Sequence, residues 1–263
     1  MHDLAFVVAG FGVGLVVGLT GVGGGSLMTP LLIFFFGVKP HLAIGTDLLF
    51  AAFTKMGGTV SLARARIVDW KIVGQTAAGS IPASLATLYA LHQLGPASAT
   101  AHAMMTSTLG VALLLTATAT LYKAFYGKAA PRHIDSAALA GATRARHWSL
   151  PVLFGAVIGA LVTLTSVGAG AIGVIVLMLL YPALPLPRIV AADIAHAVPL
   201  TLVAGLGHAS IGSVDWPLLA KLLAGSLPGI WLGSRLMART PDRWLRSLLS
   251  LLLAYAGVKL IAI

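Results

Sequence analysis

The chain has 263 residues, 58% of them hydrophobic and only 9% charged, with a mean hydropathy of +0.97, which excludes an ordinary soluble globular domain and indicates a polytopic integral membrane protein. It has no Cys, which removes disulfides, thiolate metal sites and Cys nucleophiles together. The net charge of +10 would suit nucleic acid, but nearly all Lys and Arg fall in a few short connections, the pattern of the positive-inside rule, so the partner expected is the lipid bilayer and not nucleic acid.

Apolar runs and their breaks give ten segments in chain order: 4–20, 26–37, 41–63, 70–92, 101–124, then 148–165, 170–182, 188–208, 216–237 and 244–262. Met1-His2-Asp3 carries no Lys or Arg, and the first basic residue is Lys39, so the first segment reads as a retained helix and not a cleaved signal. Gly10, Gly14 and Gly18 repeat every four residues along it, a small-residue stripe for close helix packing. It ends in the break Thr20-Gly21-Val22-Gly23-Gly24-Gly25-Ser26, followed by a segment of only about 15–18 Å, well short of the ~30 Å hydrocarbon core. Segment three carries Asp47 and Lys55. The Asp-Trp pairs 69–70 and 215–216 read as helix starts, Asp capping and Trp anchoring at the interface. A polar connection over 125–147 precedes the second half. There the sixth segment closes on Thr165-Ser166-Val167-Gly168-Ala169-Gly170, again before a short segment, and the eighth carries Asp193 and His196.

The halves repeat one another. Gly10, Gly14 and Val22-Gly23 match Gly155, Gly159 and Val167-Gly168 at an offset of 145. After one inserted residue, Asp47 matches Asp193, and Val68-Asp69-Trp70 matches Val214-Asp215-Trp216. If all ten segments cross, the connections holding Arg64, Arg66 and Lys71, then Lys123 to Arg146, then Arg188, then Arg235 to Arg246 share one side, the cytoplasmic one. Both termini then lie on the periplasmic side of a bacterial inner membrane. The fold class expected is all-α: two inverted five-helix repeats, 1–124 and 148–263, each with a Gly-rich break and a short helix, joined by a basic cytoplasmic linker at 125–147.

Inverted repeats with broken helices point to a carrier whose site lies near the midplane. Free N–H groups at a helix start, the helix dipole and glycines that admit a ligand to the backbone suit an anion. The substrate-contact candidates are Thr20, Gly23, Gly24, Gly25 and Ser26 from the first break, with Thr165, Ser166, Gly168 and Gly170 from the second. The competing reading is that such turns only let helices pack. Lys55 has Thr201 in its place in the second half and would neutralise an Asp or attract an anion. Asp47 and Asp193 read either as proton carriers or as structural groups that cap their helices near the start or hold the facing turn by accepting from backbone N–H groups. His196, one turn from Asp193, is a candidate proton relay, although a lone His on a helix more often only packs. Pro82 and Pro228, with Gly79 and Gly225, are expected to kink equivalent helices.

These residues are similar to the sulfite exporter TauE/SafE family of bacterial membrane permeases, also called the four-toluene sulfonate uptake permease group. The match rests on Gly-Leu-Thr-Gly-Val-Gly-Gly-Gly-Ser (18–26) followed by Pro30, Ala43-Ile44-Gly45-Thr46-Asp47-Leu48, Val68-Asp69-Trp70 and their second-half counterparts, spread over most of the chain. The resemblance implies movement of sulfur-containing oxyanions or organosulfonates such as sulfite, sulfoacetate or thiosulfate, with proton coupling proposed. Asp47 stands where the family often has Ser or Asn, and Ser166 and Ala169 replace Gly21 and Gly24 of the first run, so the two breaks are expected to contribute unequally.

The function expected is a secondary permease for small anions working by alternating access, with no cofactor and no metal. One alternative is a divalent-cation carrier using Asp47 and Asp193 as oxygen ligands; another is a non-transporting assembly subunit. With no Glu, no Cys, no His-Glu-x-x-His and no Gly-x-Ser-x-Gly, no enzyme is expected.

Overall fold

The computed structural model describes residues 2–20, 25–126, 148–236 and 242–261. They form ten α-helices: α1 (His2–Thr20), α2 (Gly25–Phe36), α3 (Pro40–Arg64), α4 (Trp70–Leu94), α5 (Ala99–Tyr126), α6 (Ser149–Thr165), α7 (Ala171–Leu180), α8 (Leu186–Ser210), α9 (Trp216–Leu236) and α10 (Asp242–Ile261). Each coincides with an expected segment to within a few residues. The joining stretch 127–147 lies outside the described residues.

Local chemistry sets the boundaries. Pro40 opens α3, where its missing N–H loses no helical bond. Asp69 caps α4, its Oδ1 accepting from the N–H groups of Lys71 (3.1 Å) and Ile72 (3.3 Å), and Asp215 Oδ1 accepts from Leu218 N–H at 3.0 Å. Both capping roles were expected, and Trp70 and Trp216 beside them are exposed. α4 ends at Gly95, whose φ of 77° is a conformation glycine adopts freely.

The helices pair by close backbone approach. Gly10, Gly14 and Gly18 of α1 lie against the backbone of Leu222, Ser226 and Ile230 on α9, so that a Cβ at any of them would overlap a carbonyl oxygen. Gly225, Gly229 and Gly233 of α9 meet Val7, Phe11 and Leu15 in return. The same device joins α6 to α4: Gly155 and Gly159 meet Thr76 and Ser80, and Gly79 meets Val152. With no hydrophobic drive between helices in lipid, small residues gain contact energy by letting backbones approach.

Two further pairs, α3 with α8 and α5 with α10, complete the main packing, and α2 rests on α3 as α7 rests on α8. This pattern is unchanged when α1–α5 are exchanged for α6–α10. Large apolar side chains one turn apart face outward on several helices, among them Leu4 and Val8, Val111 and Leu115, Leu153 and Val157, and Leu251 and Tyr255. α3 and α8 form the centre, where Ile44, Leu48, Leu200 and Ala204 are fully buried. Residues 99–121 of α5 and all of α8 are long and apolar enough to cross a bilayer taken alone.

Candidate functional site

Among the described residues the buried charged side chains include Asp47, Lys55 and Asp193, set among buried hydroxyls and the rings of His196 and His208. Asp47 and Asp193 each occupy the eighth position of their helix, α3 and α8, and are buried. The capping reading of these two residues is therefore corrected: the N-caps are Lys39 and Pro185, and the helices begin almost two turns before the carboxylates. Asp47 Oδ2 instead accepts a short hydrogen bond from the Thr29 hydroxyl of α2. Asp193 reaches α7, where a Cβ placed on Gly173 would fall on its Oδ1. Each short helix thus rests against the carboxylate of the long helix that follows it.

The second break holds unusual backbone. Ser166 is left-handed (φ 60°), and Gly168 (φ 130°) and Gly170 (φ 133°) take conformations that a side chain would strain. Thr165 keeps this shape: its hydroxyl lies 2.6 Å from the Leu161 carbonyl as donor and accepts from Val167 N–H at 3.1 Å. That hydroxyl is committed within the break, whereas the buried Ser166 Oγ has no well-formed hydrogen bond and lies near the Asp47 carboxylate, whose Oδ1 is likewise without one. Gly173 N–H donates to Gly168 O at 3.2 Å and Val174 N–H to Gly170 O at 3.3 Å. The earlier N–H groups of α7 have no intrahelical acceptor, as at any helix start.

Lys55 ties these parts together. It lies on α3, only 7% exposed, and its ammonium donates to the Ala169 carbonyl in the break at 3.4 Å. Both Asp47 and Asp193 act on it electrostatically. An ammonium in hydrocarbon is costly unless paired, and here a carbonyl accepts from it while two carboxylates act on it through their charge.

His196 is buried on α8 within electrostatic range of Lys55, and its Nε2 is 2.8 Å from the Ser80 hydroxyl of α4. One turn of α4 further, Ser84 accepts from Thr163 of α6 at 2.7 Å, and the Thr163 carbonyl meets His208 Nε2 at 2.9 Å. These bonds cross-link α4, α6 and α8 beside the site.

Of the residues expected at the site, the structure brings together Asp47, Lys55, Ser166 and Asp193, with Gly168 and Gly170 shaping the break. Gly23 and Gly24 lie outside the described residues, as do the side chains of Thr20 and Ser26; Gly25 opens α2. Sequence reasoning missed Thr29, Ala169, Gly173 and Ser80. Thr29 carried a signal, a hydroxyl one turn into the short apolar helix, and Ser80 stands in the duplicated Ala78–Pro82 stretch. Ala169 acts through its carbonyl and Gly173 through having no side chain, so neither left one.

Comparison with known proteins places this arrangement. The family described as "Sulfite exporter TauE/SafE" matches residues 6–260. The chain belongs to the TauE/SafE family. Three relatives from Bacillus subtilis (strain 168) are similar to it over nearly their whole length. "Probable membrane transporter protein YjnA" is 36% identical over 260 residues, covering 98% of this chain and all of the relative. "Probable membrane transporter protein YdhB" is 28% identical over 98% of this chain and all of the relative, and "Probable membrane transporter protein YunE" 28% identical over 90% and 88%. No solved structure matches the chain. A TauE/SafE protein is a multi-pass membrane transporter and not an enzyme, so the outward apolar faces are lipid-facing and the buried cluster of Asp47, Lys55 and Asp193 is intramembrane.

Proposed function

We propose that this TauE/SafE protein is a secondary active transporter of small anions, sulfur-containing oxyanions or organosulfonates, coupled to protons. The observation that carries the reading is the buried Lys55 ammonium, placed on the Ala169 carbonyl just ahead of the start of α7 and flanked by Asp47 and Asp193. An anion entering there would meet the ammonium, the open N–H groups of the α7 start and the Ser166 hydroxyl. By its sequence the first break, with Gly23, Gly24, Gly25, Thr20 and Ser26, offers further contacts of the same kind. Ionised, the two carboxylates outnumber the single ammonium and repel an anion. Protonation of Asp47 or Asp193 removes that repulsion, which links proton and substrate, with His196 as a relay. Against a divalent-cation carrier stands Lys55 itself, a buried cation within electrostatic reach of both would-be ligands.

The alternating access we infer rests on α1–α5 and α6–α10 being inverted repeats. The exchange-symmetric packing and the duplicated motifs support this, and the clustering of Arg in alternate connections supports opposite orientations with both termini periplasmic. The test is uptake of labelled sulfite, thiosulfate and sulfoacetate by proteoliposomes holding the wild type or Lys55→Ala. Saturable uptake of one of these that falls at least tenfold in Lys55→Ala supports the reading; uptake of none, with divalent cations carried instead, overturns it.

A further inference from the structure

α2 is only about 18 Å long at 1.5 Å per residue, so it leaves part of the bilayer depth beside it unfilled by helix. The space is visible as a groove of about 610 Å³ between α1, α2 and α10, walled by Gly12, Val13 and Val16 of α1, by Leu31 and Phe34 of α2, and by Ala256 of α10. Its rim residues Phe35, Leu252 and Tyr255 are exposed. In a membrane protein such a rim meets lipid, so an occupant enters from the bilayer. At one end stands the groove's single charged residue, Lys259, in the last turn of α10, with its ammonium 4.9 Å from the centre of the Phe34 ring.

We propose that this groove binds an anionic phospholipid, one acyl chain lying along α2 and the headgroup phosphate resting on the Lys259 ammonium. The chemistry divides in the way a phospholipid does, with an apolar trough and one cation at the end, near the depth where α10 leaves the hydrocarbon. The bound chain would pack on the outer face of α2, whose Thr29 holds Asp47 from the inner one.

Native mass spectrometry of the full-length protein in mild detergent tests this, with phosphatidylglycerol and phosphatidylcholine of identical acyl chains as probes. For the most tightly held lipid the wild type should favour phosphatidylglycerol about fivefold, the worth of one Lys near a headgroup. Lys259→Gln should bring that ratio to about one, and Lys259→Arg should restore it. Gly12→Phe should reduce retention of both lipids, because a Cβ at Gly12 meets nothing within 4 Å and the ring would enter the groove. Equal retention of the two lipids by the wild type, or an unchanged ratio in Lys259→Gln, overturns the proposal. So does a dimer that Gly12→Phe splits while lipid retention stays the same, which would make the occupant a second copy. Because Lys259→Gln leaves the packing intact, a folding defect in Gly12→Phe does not remove the test.

Discussion

Replacing Lys55 with Met removes the only ammonium among Asp47, Asp193 and the Ala169 carbonyl while keeping a side chain of similar length. The set then loses the cation on which both Asp47 and Asp193 act. Removing one partner of a buried charged set costs roughly 3–5 kcal/mol, but the protein has a way to limit the loss, which is to take up one proton. From an ordinary Asp value near 3.9, that proton costs about 1.36 × 3.1, or roughly 4 kcal/mol, at pH 7 and about 1.5 kcal/mol at pH 5. The destabilisation of Lys55→Met should therefore reach about 4 kcal/mol at pH 7 and shrink to about 1.5 kcal/mol at pH 5. The sign follows from linkage: the folded variant holds a proton that its unfolded chain releases, so its stability falls as pH rises. Unfolding of detergent-solubilised protein by SDS titration, followed by tryptophan fluorescence at the two pH values, measures this difference. Adding Asp193→Asn to Lys55→Met should recover most of the loss at pH 7. A loss of equal size at both pH values, unrelieved by the second substitution, would refute the reasoning and leave Lys55 as a packing residue.

Other consequences can be measured separately. Gly14→Val and Gly159→Val each drive a side chain into the backbone of the facing helix and should cost on the order of 1–3 kcal/mol in the same titration; Gly57→Ala, in open space, serves as the control and should not change stability by more than about 0.5 kcal/mol. Asp69→Ala removes a cap bonded to two N–H groups and should cost about 1 kcal/mol in that assay. Ser80→Ala leaves His196 Nε2 without its partner, a loss of roughly 1–3 kcal/mol if the ring stays buried, and should shift the pH profile of uptake if His196 relays protons. Because the chain has no Cys, single cysteines at Ala65 and Gly212 can be labelled with a membrane-impermeant maleimide. Inverted repeats place these two equivalent connections on opposite faces, so only one should react from outside; reaction of both would remove the inversion.

Much of the fold was legible in the sequence because hydropathy and breaks act locally. The Asp69 and Asp215 caps begin helices by chemistry confined to a few residues, and the glycine spacing on α1 announced its close approach to another helix. The site was less legible. Asp47 resembled a cap because it stands near the start of its segment, but it is the eighth residue of α3, nearly two turns past Pro40 and too far in to cap the helix. Its actual partner, Thr29, lies on another helix, a relation no periodicity encodes. Lys55 was visible as an intramembrane cation, but its anchor is a backbone carbonyl, which every residue possesses, so Ala169 could not be singled out. Thr165 drew notice as a substrate contact, and the structure adds a local role the sequence did not announce: its hydroxyl bonds the backbone on either side of the helix end.

Flux of the carried anion into proteoliposomes, measured with and without an imposed pH gradient for wild type, Asp47→Asn and Asp193→Asn, tests the central claim most directly. Coupling through the buried carboxylates predicts saturable wild-type flux accelerated by an inward proton gradient. It also predicts that at least one of the two variants still moves the anion downhill but no longer responds to the gradient. Wild-type flux indifferent to the gradient, or a response retained in both variants, would contradict it.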